Sequence, residues 1–281
     1  MIVVETTILL IFSPQFSYFE MNNKLSLNYS AVEKTLVEFL RMEIHSAGFS
    51  KAVFGLSGGV DSAVTAYLSA KALGKENCHA VWMPYATSNP QHLHDGMEVV
   101  NQLGIKFTTV SISPMVDAFI STDVEMNQVR KGNIMARARM IILFDLSQKE
   151  KAIVVGTSNK TEILLGYGTL YGDVACGINP LGDLYKTQIW EFAKHLGVPH
   201  QIIDKKPTAD LWEGQTDEDE LGFSYNDVDR LLFSLIDEKK NDSELKAMGY
   251  EETFIHTVKE KVEKNKFKSR LPYIGKVSHL K

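Results

Sequence analysis

Gly55-Leu56-Ser57-Gly58-Gly59-Val60-Asp61-Ser62 is the stretch whose reading decides the fold. Before it runs a short apolar segment, Lys51 to Leu56, with the pattern of a buried strand. After it, Ala63 to Leu73 reads as a helix that stops at Gly74. Two adjacent glycines between a strand and a helix let the backbone turn sharply and bring its amides close to an anion. The helix opening near Val60 aims its N-terminal amides and the positive end of its dipole at the same point. Ser57 and Ser62 add hydroxyl donors. Asp61 is the discriminating residue. A carboxylate beside phosphate is repulsive unless a divalent cation lies between them, so it predicts Mg²⁺. A Walker A loop would end in Gly-Lys-Ser/Thr and a dinucleotide fingerprint would carry a third glycine; neither is present.

The alternation continues outward from this loop. Tyr29 to Ala47 shows helical spacing, with Val32, Leu36, Phe39, Leu40 and Ile44 on one side and Gly48 as its stop. His79 to Met83 reads as a strand and Gln91 to Leu103 as a helix. Lys106 to Ile112 is an alternating strand, Met126 to Leu146 a long helix, and Ala152 to Val155 an apolar strand. Strands alternating with helices predict an α/β fold, a doubly wound and mainly parallel sheet covered on both faces. Ligands then sit at the carboxyl ends of the strands. Beyond Asn179 the pattern changes to C-terminal helices, at Lys186 to Leu196, Asn226 to Asp237 and Glu251 to Lys264, with a polar loop from Pro207 to Gly222. Residues 1–24 read as an N-terminal extension and residues 25–281 as one domain.

Five further motifs stand in register. Asn133 and Arg137 lie in Lys131-Gly132-Asn133-Ile134-Met135-Ala136-Arg137-Ala138-Arg139-Met140. Gly156-Thr157-Ser158-Asn159-Lys160-Thr161-Glu162 follows the fourth strand. Gly166 to Asp173 reads Gly-Tyr-Gly-Thr-Leu-Tyr-Gly-Asp. Asn179-Pro180-Leu181 precedes Lys186. Lys206-Pro207-Thr208-Ala209-Asp210-Leu211 comes last. With the glycine loop, these resemble the ammonia-dependent NAD synthetases, a branch of the N-type ATP pyrophosphatases, over roughly residues 30 to 272.

The resemblance implies a Rossmann-like, adenine nucleotide alpha hydrolase-like fold. It also implies that ATP is cleaved between its α and β phosphates to activate the carboxylate of deamido-NAD, which ammonia then converts to NAD. ATP is assigned to Gly55 through Ser62, with Thr157, Lys186 and Thr208. Mg²⁺ is assigned to Asp61 and Glu162. Deamido-NAD is assigned to Asn133, Arg137 and Lys268, and ammonia to Asp173, which with Lys186 forms the catalytic pair. A homodimer is implied as well, with the helices Tyr29–Ala47 and Met126–Leu146 as candidate faces. Three positions depart from the family: Met83-Pro84-Tyr85 lacks an arginine beside the proline, Leu170 replaces a lysine, and Gly177 replaces an acid. They bear on the dinucleotide, not on ATP.

Taken without the family, several of these residues have blander readings. Arg137 and Arg139 equally suit a solvated helix face. Glu162 alone suits a surface. Met135 and Met140 suit a core, His92 and His94 an exposed loop, and Asp217 to Glu220 a solvated loop or lid segment. Net charge is −5, with a pI near 5.9, which disfavours nucleic acid as a main partner. That counts against the nearest alternative, a transfer-RNA-modifying or GMP synthetase-like member of the same superfamily. A nucleotide sensor without chemistry would not need Glu162, Lys186 and Thr208 together. The two cysteines, Cys78 and Cys176, form no CxxC pair and fit a reducing cytoplasm. Neither stands in a nucleophile context, so the nitrogen is expected from free ammonia or a partner protein. Ile2 to Phe12 is apolar but carries Glu5, lacks a basic start and is too short to span a bilayer. No membrane association is expected. A chain beginning at Met21 is expected to keep its turnover; a steady-state assay showing that turnover is lost would place residues 1–20 in the chemistry.

Overall fold

The computed structural model describes residues 24–212, 214–270, 272 and 274–278. The expectation for residues 1–20 falls outside them, as does Leu271. Four parallel strands form one sheet in the order β3-β2-β1-β4. They are β1 (Ala52–Gly55), β2 (Cys78–Trp82), β3 (Lys106–Thr109) and β4 (Ile153–Val154). The central pair is in register from Ala52 opposite Cys78 to Gly55 opposite Val81.

Side-chain alternation on β1 organises both faces. Ala52 and Phe54 turn toward α1 (Tyr29–Ser46), α2 (Val60–Leu73) and α7 (Lys186–Leu196), meeting Leu40, Ile44, Leu68 and Phe192. Val53 turns the other way, toward α4 (Ser113–Ile120) and α5 (Gln128–Glu150), meeting Val116, Met135 and Leu143. Phe54, Leu68 and Phe192 are fully buried, and each such side chain contributes about 1.5–3 kcal/mol relative to exposure. The sheet is thus wound on both sides, as the alternation predicts.

Local chemistry sets the element ends. Asn89 caps α3 (Pro90–Leu103), accepting from Gln91 N with Pro90 in the first turn. Asn127 caps α5 in the same way, accepting from Arg130 N at 3.0 Å. This moves the helix start from the expected Met126 to Gln128, and the helix runs on to Glu150, where Lys151 leaves it in the left-handed region. β3 ends at Thr109, but its backbone pairing runs on to the expected Ile112, with Val110 N donating to Trp82 O and Ile112 N to Pro84 O, both at 2.9 Å. β4 is shorter than expected, and Val155 continues its line through a single parallel bridge to Ile178.

The C-terminal part adds α6 (Lys160–Leu165), α8 (His200–Ile203), α9 (Asp217–Leu221), α10 (Tyr225–Leu232), α11 (Asp242–Ala247) and α12 (Glu252–Asn265). Leu165, Tyr185, Tyr225, Leu231, Ile255 and Val258 form a separate buried cluster, and Leu25 joins it. Trp190 on α7 touches both this cluster and the sheet core. Two expectations need correction. The loop expected over Pro207 to Gly222 contains α9, capped by Thr216. The helix expected from Asn226 to Asp237 ends at Leu232 and widens into a π-turn, Phe233–Asp237. No helix among the described residues is long and apolar enough to cross a membrane.

Gly58 ties the glycine loop to α3. Its φ is +77°, and a Cβ there would stand 2.4 Å from the carbonyl oxygen of His92. Gly58→Ala is expected to lower stability by about 1–3 kcal/mol from the left-handed backbone alone. A urea unfolding curve with an unchanged midpoint would contradict this docking.

Candidate active site

A cavity of about 600 Å³ opens at the carboxyl ends of the strands, within the usual range for a small-ligand site. The β1–α2 loop forms its floor through Gly55, Leu56, Ser57, Gly59, Val60, Asp61 and Ser62. Gly58 shapes the loop from beneath and does not line the cavity. The two serines brace the turn: Ser57 N donates to Ser62 Oγ at 3.2 Å, and Ser62 Oγ donates to Gly59 O at 2.9 Å. Thr157 and Glu162 enter after β4, Lys186 at the start of α7, and Thr208 from the 205–212 segment. The sequence-derived ATP and metal residues therefore converge, with Gly58 supporting them.

Their centre is an ion cluster. Lys186 Nζ lies 2.6 Å from Asp61 Oδ2 and 3.4 Å from Glu162 Oε1. Asn159 locks this arrangement: its Nδ2 donates to Asp61 Oδ1 at 2.9 Å, while its Oδ1 caps α6 by accepting from Glu162 N at 3.0 Å. Burial works against the charge on Lys186, but Asp61 and Glu162 outweigh it and hold the ammonium above its usual range. Burial pushes the Glu162 carboxyl up; Lys186 opposes that rise, while Asp61 and Asp217 add to it. Asp217 is itself buried and accepts from Tyr167 Oη at 3.0 Å and Tyr225 Oη at 3.1 Å.

A second layer holds the helix starts. Buried Asp229 on α10 accepts from Thr161 Oγ1 at 2.6 Å and from both Thr187 N and Thr187 Oγ1 at 2.8 Å. Thr161 Oγ1 in turn accepts from Lys186 N at 3.0 Å. The helices carrying Glu162 and Lys186 are thereby clasped to each other. Burial raises the Asp229 carboxyl to about 6, against hydrogen bonds from Thr161 and Thr187 that lower it.

Asp61, Glu162 and Asp217 outnumber the one ammonium, and burial holds Glu162 up at about 8, so a cation would find acids whose ionisation it would favour. Hard carboxylate oxygens are the ligands that Mg²⁺ prefers. Among the described residues, no group of three or more His, Cys, Asp or Glu could hold a metal by itself. A hard cation between Asp61 and Glu162 would complete its shell with phosphate oxygens and water, which is how Mg²⁺ usually binds. The residues fit it on those terms.

The cavity lining also includes Asn133, Asp173 and Lys268. Asn133 accepts from Thr169 Oγ1 at 2.8 Å, while Thr169 N donates to Asp173 Oδ1 at 2.8 Å. Lys268 Nζ donates to the carbonyls of Gly166 and Gly168 at 2.7 and 3.0 Å. Arg137 is not brought together with these residues. It is exposed, lies outside the cavity, and donates Nε and Nη2 to Leu170 O at 3.3 and 3.2 Å. Arg139 lines the cavity instead. At Gly177 a Cβ would meet Ile153 Cγ1 at 2.6 Å, so this chain packs β4 where an acid was expected.

Sequence reasoning missed a latch. His92, expected in solvent, is buried with Nδ1 3.0 Å from Asp210 Oδ2, whereas His94 is exposed as expected. Lys205 Nζ reaches Asp95 Oδ2 at 2.6 Å and Gly58 O at 3.3 Å. Asp210 adopts a φ of +51°, a conformation that aspartate tolerates better than most residues. The 205–212 segment is thus pinned to α3 and to the glycine loop. Asp217, expected in a solvated loop, was missed for the same reason: only the folded chain brings Tyr167 and Tyr225 to it.

Comparison with known proteins agrees with this geometry. A family model described as NAD synthase matches residues 32–272. The chain is 51% identical over 256 residues to an NH(3)-dependent NAD(+) synthetase of Trichlorobacter lovleyi, covering 91% of this chain and 94% of that one. Among solved structures, an NMN synthetase from Francisella tularensis superposes with a TM-score of 0.80 at 34% identity, covering 90% of this chain and 100% of that chain. An NH3-dependent NAD synthetase from Campylobacter jejuni, in complex with nitrate, gives 0.77 at 35% identity, covering 89% and 100%. The motif order, the parallel sheet and these matches agree: the chain belongs to the NAD synthase family.

Proposed function

We propose that this protein is an ammonia-dependent NAD synthetase, a ligase that amidates deamido-NAD at the expense of ATP and releases AMP and pyrophosphate. The observation that carries this reading is the meeting of Asp61, Glu162 and Lys186 at the mouth of β1, inside a cavity floored by a phosphate-type loop. Free ammonia as the nitrogen source rests on relatives named for it, of which the chain covers 94% and 99%.

The barrier to the first step is electrostatic, because a carboxylate must approach a triphosphate. The nicotinate carboxylate attacks the α-phosphorus and the bond to the bridging oxygen breaks, giving an acyl-adenylate and pyrophosphate. Lys186 and the amides of Gly58 through Asp61 receive the negative charge on the departing pyrophosphate. Asp61 and Glu162 would hold Mg²⁺, which supplies further neutralisation of the phosphates when bound. Thr157 and Thr208, both lining the cavity, orient ATP. Asn133, Lys268 and Arg137 serve the dinucleotide, Arg137 from outside the cavity of its own protomer. Ammonia, held at Asp173, attacks the acyl carbon; AMP leaves, and Asp173 accepts the proton. Residues 25–281 act as one catalytic unit. The cytoplasm is the proposed location, in keeping with two free cysteines.

Pyrophosphate release is expected only with ATP and deamido-NAD together, and NAD only when ammonium is added. Release that ignores deamido-NAD would refute the assignment. Asp61→Ala is expected to reduce turnover by about a hundredfold or more, the usual size for losing a charge-stabilising partner. Near-normal turnover would remove Asp61 from the chemistry.

A homodimer is also proposed. α5 leaves Ile141 and Phe144, one turn apart, exposed at 63% and 46%, an apolar pair on one helix face that a second protomer would cover; α1, on the other side of the sheet, leaves Met42 exposed at 57%. Ile141→Asp is expected to shift sedimentation velocity profiles toward monomer. An unchanged profile would exclude this face of α5.

A further inference from the structure

Arg137 and Arg139 lie two positions apart on α5, so they point to opposite sides of the helix. Arg137 turns outward and uses its nitrogens on the carbonyl of Leu170. Arg139 turns into the cavity, where its Nε donates to Met83 O at 3.0 Å, just past the end of β2. That bond fixes the plane of the guanidinium and uses one of its five donors.

The other cations of the cavity wall are already engaged. Lys186 is held by Asp61 and Glu162, and Lys205 by Asp95. Lys268 is spent on backbone carbonyls, and Lys206 is exposed at the rim. Arg139 alone among these inward-facing cations has neither an ion-pair partner nor a hydrogen bond from its Nη atoms, among the described residues. Asp210 and Asp173 act on it only from a distance, and burial lowers its pKa against their pull. A desolvated guanidinium with a free fork is costly unless an anion is meant to meet it. A fork matches a planar carboxylate with two parallel hydrogen bonds. Arg139 lines the same cavity as Asn133, Thr169 and Asp173, which are linked to one another, and Met83, whose carbonyl holds it, packs beside Gly55 at the start of the glycine loop.

We propose that Arg139 is the residue that reads the acid substrate's carboxylate, pairing with it through Nη1 and Nη2 and thereby distinguishing the acid from its amide product. This rests on the reading of the reaction given above. It makes Arg139 a specificity-determining residue that favours entry of the acid. It also favours release of the amide, because the product returns no negative charge to the fork.

The test compares two ligands that differ only at that group. Calorimetric affinities for deamido-NAD and for NAD are measured on the full chain, wild type and Arg139→Gln. The wild type is expected to prefer the acid by about 10- to 100-fold, the usual range for a charged hydrogen-bonded pair, and Arg139→Gln to bring the ratio close to one. A merely structural role would weaken both ligands alike and leave the ratio unchanged, and that result overturns the proposal. Should the glutamine variant not fold, Arg139→Lys carries the test: it keeps the charge but loses the fork, and is expected to keep only part of the preference. A full wild-type ratio in the lysine variant counts against a bidentate fork. An active wild type with no acid preference overturns this inference alone. A wild type that makes no NAD from deamido-NAD overturns the reaction and this inference with it.

Discussion

The site depends on placing one ammonium among carboxylates where water is scarce. Three helices begin at the same spot. α2 brings Asp61 in its first turn, α6 brings Glu162, and α7 brings Lys186. The positive dipole ends favour the two acids and the phosphates they would help to bind, but they disfavour the lysine. Burial works against the charge on Lys186, and Asp61, Glu162 and Asp217 together outweigh it. Remove either acid and a buried cation is left partly unpaired, which is far more costly than losing a surface pair. The geometry is therefore over-determined, with Asn159 holding Asp61 and Glu162 together and Asp229 holding the helix starts.

This explains why so much scaffold lies far from the chemistry. The sheet core sets where β1 and β4 end, and so where Asp61 and Glu162 can meet. The C-terminal cluster does something else. Tyr225 and Asp229 on α10 reach back to Asp217, Thr161 and Thr187. The C-terminal helices thus close the rear of the ion cluster while leaving its front open to the cavity.

The sheet was legible because apolar runs and glycine stops are local signals. The sharp turn at the glycine loop was legible because Ser57 to Ser62 carries its glycines and serines in contiguous residues. The residues that escaped act through partners outside their own local segment. His92 reads as solvated in a polar stretch, yet Asp210, 118 positions on by their residue numbers, makes its burial tolerable. Asp217 sits in an acidic run, and only folding places Tyr167 and Tyr225 over it. Arg137 and Arg139 share one helix and one residue type. Periodicity says that they face apart, but which of them faces the cavity depends on where Met83 O and Leu170 O fall. Element ends slipped by a few residues wherever an asparagine cap, Asn127 for example, set the first turn more sharply than the apolar pattern did.

Lys205 links two parts that both line the cavity. Its ammonium joins Asp95 on α3 and the carbonyl of Gly58 in the glycine loop, while its own backbone begins the segment that brings Thr208 to the cavity. The two parts are thus mechanically joined. A ligand that drew the loop into one conformation would bias the 205–212 segment. By reciprocity, whatever settled that segment would raise the loop's affinity for that ligand by the same factor.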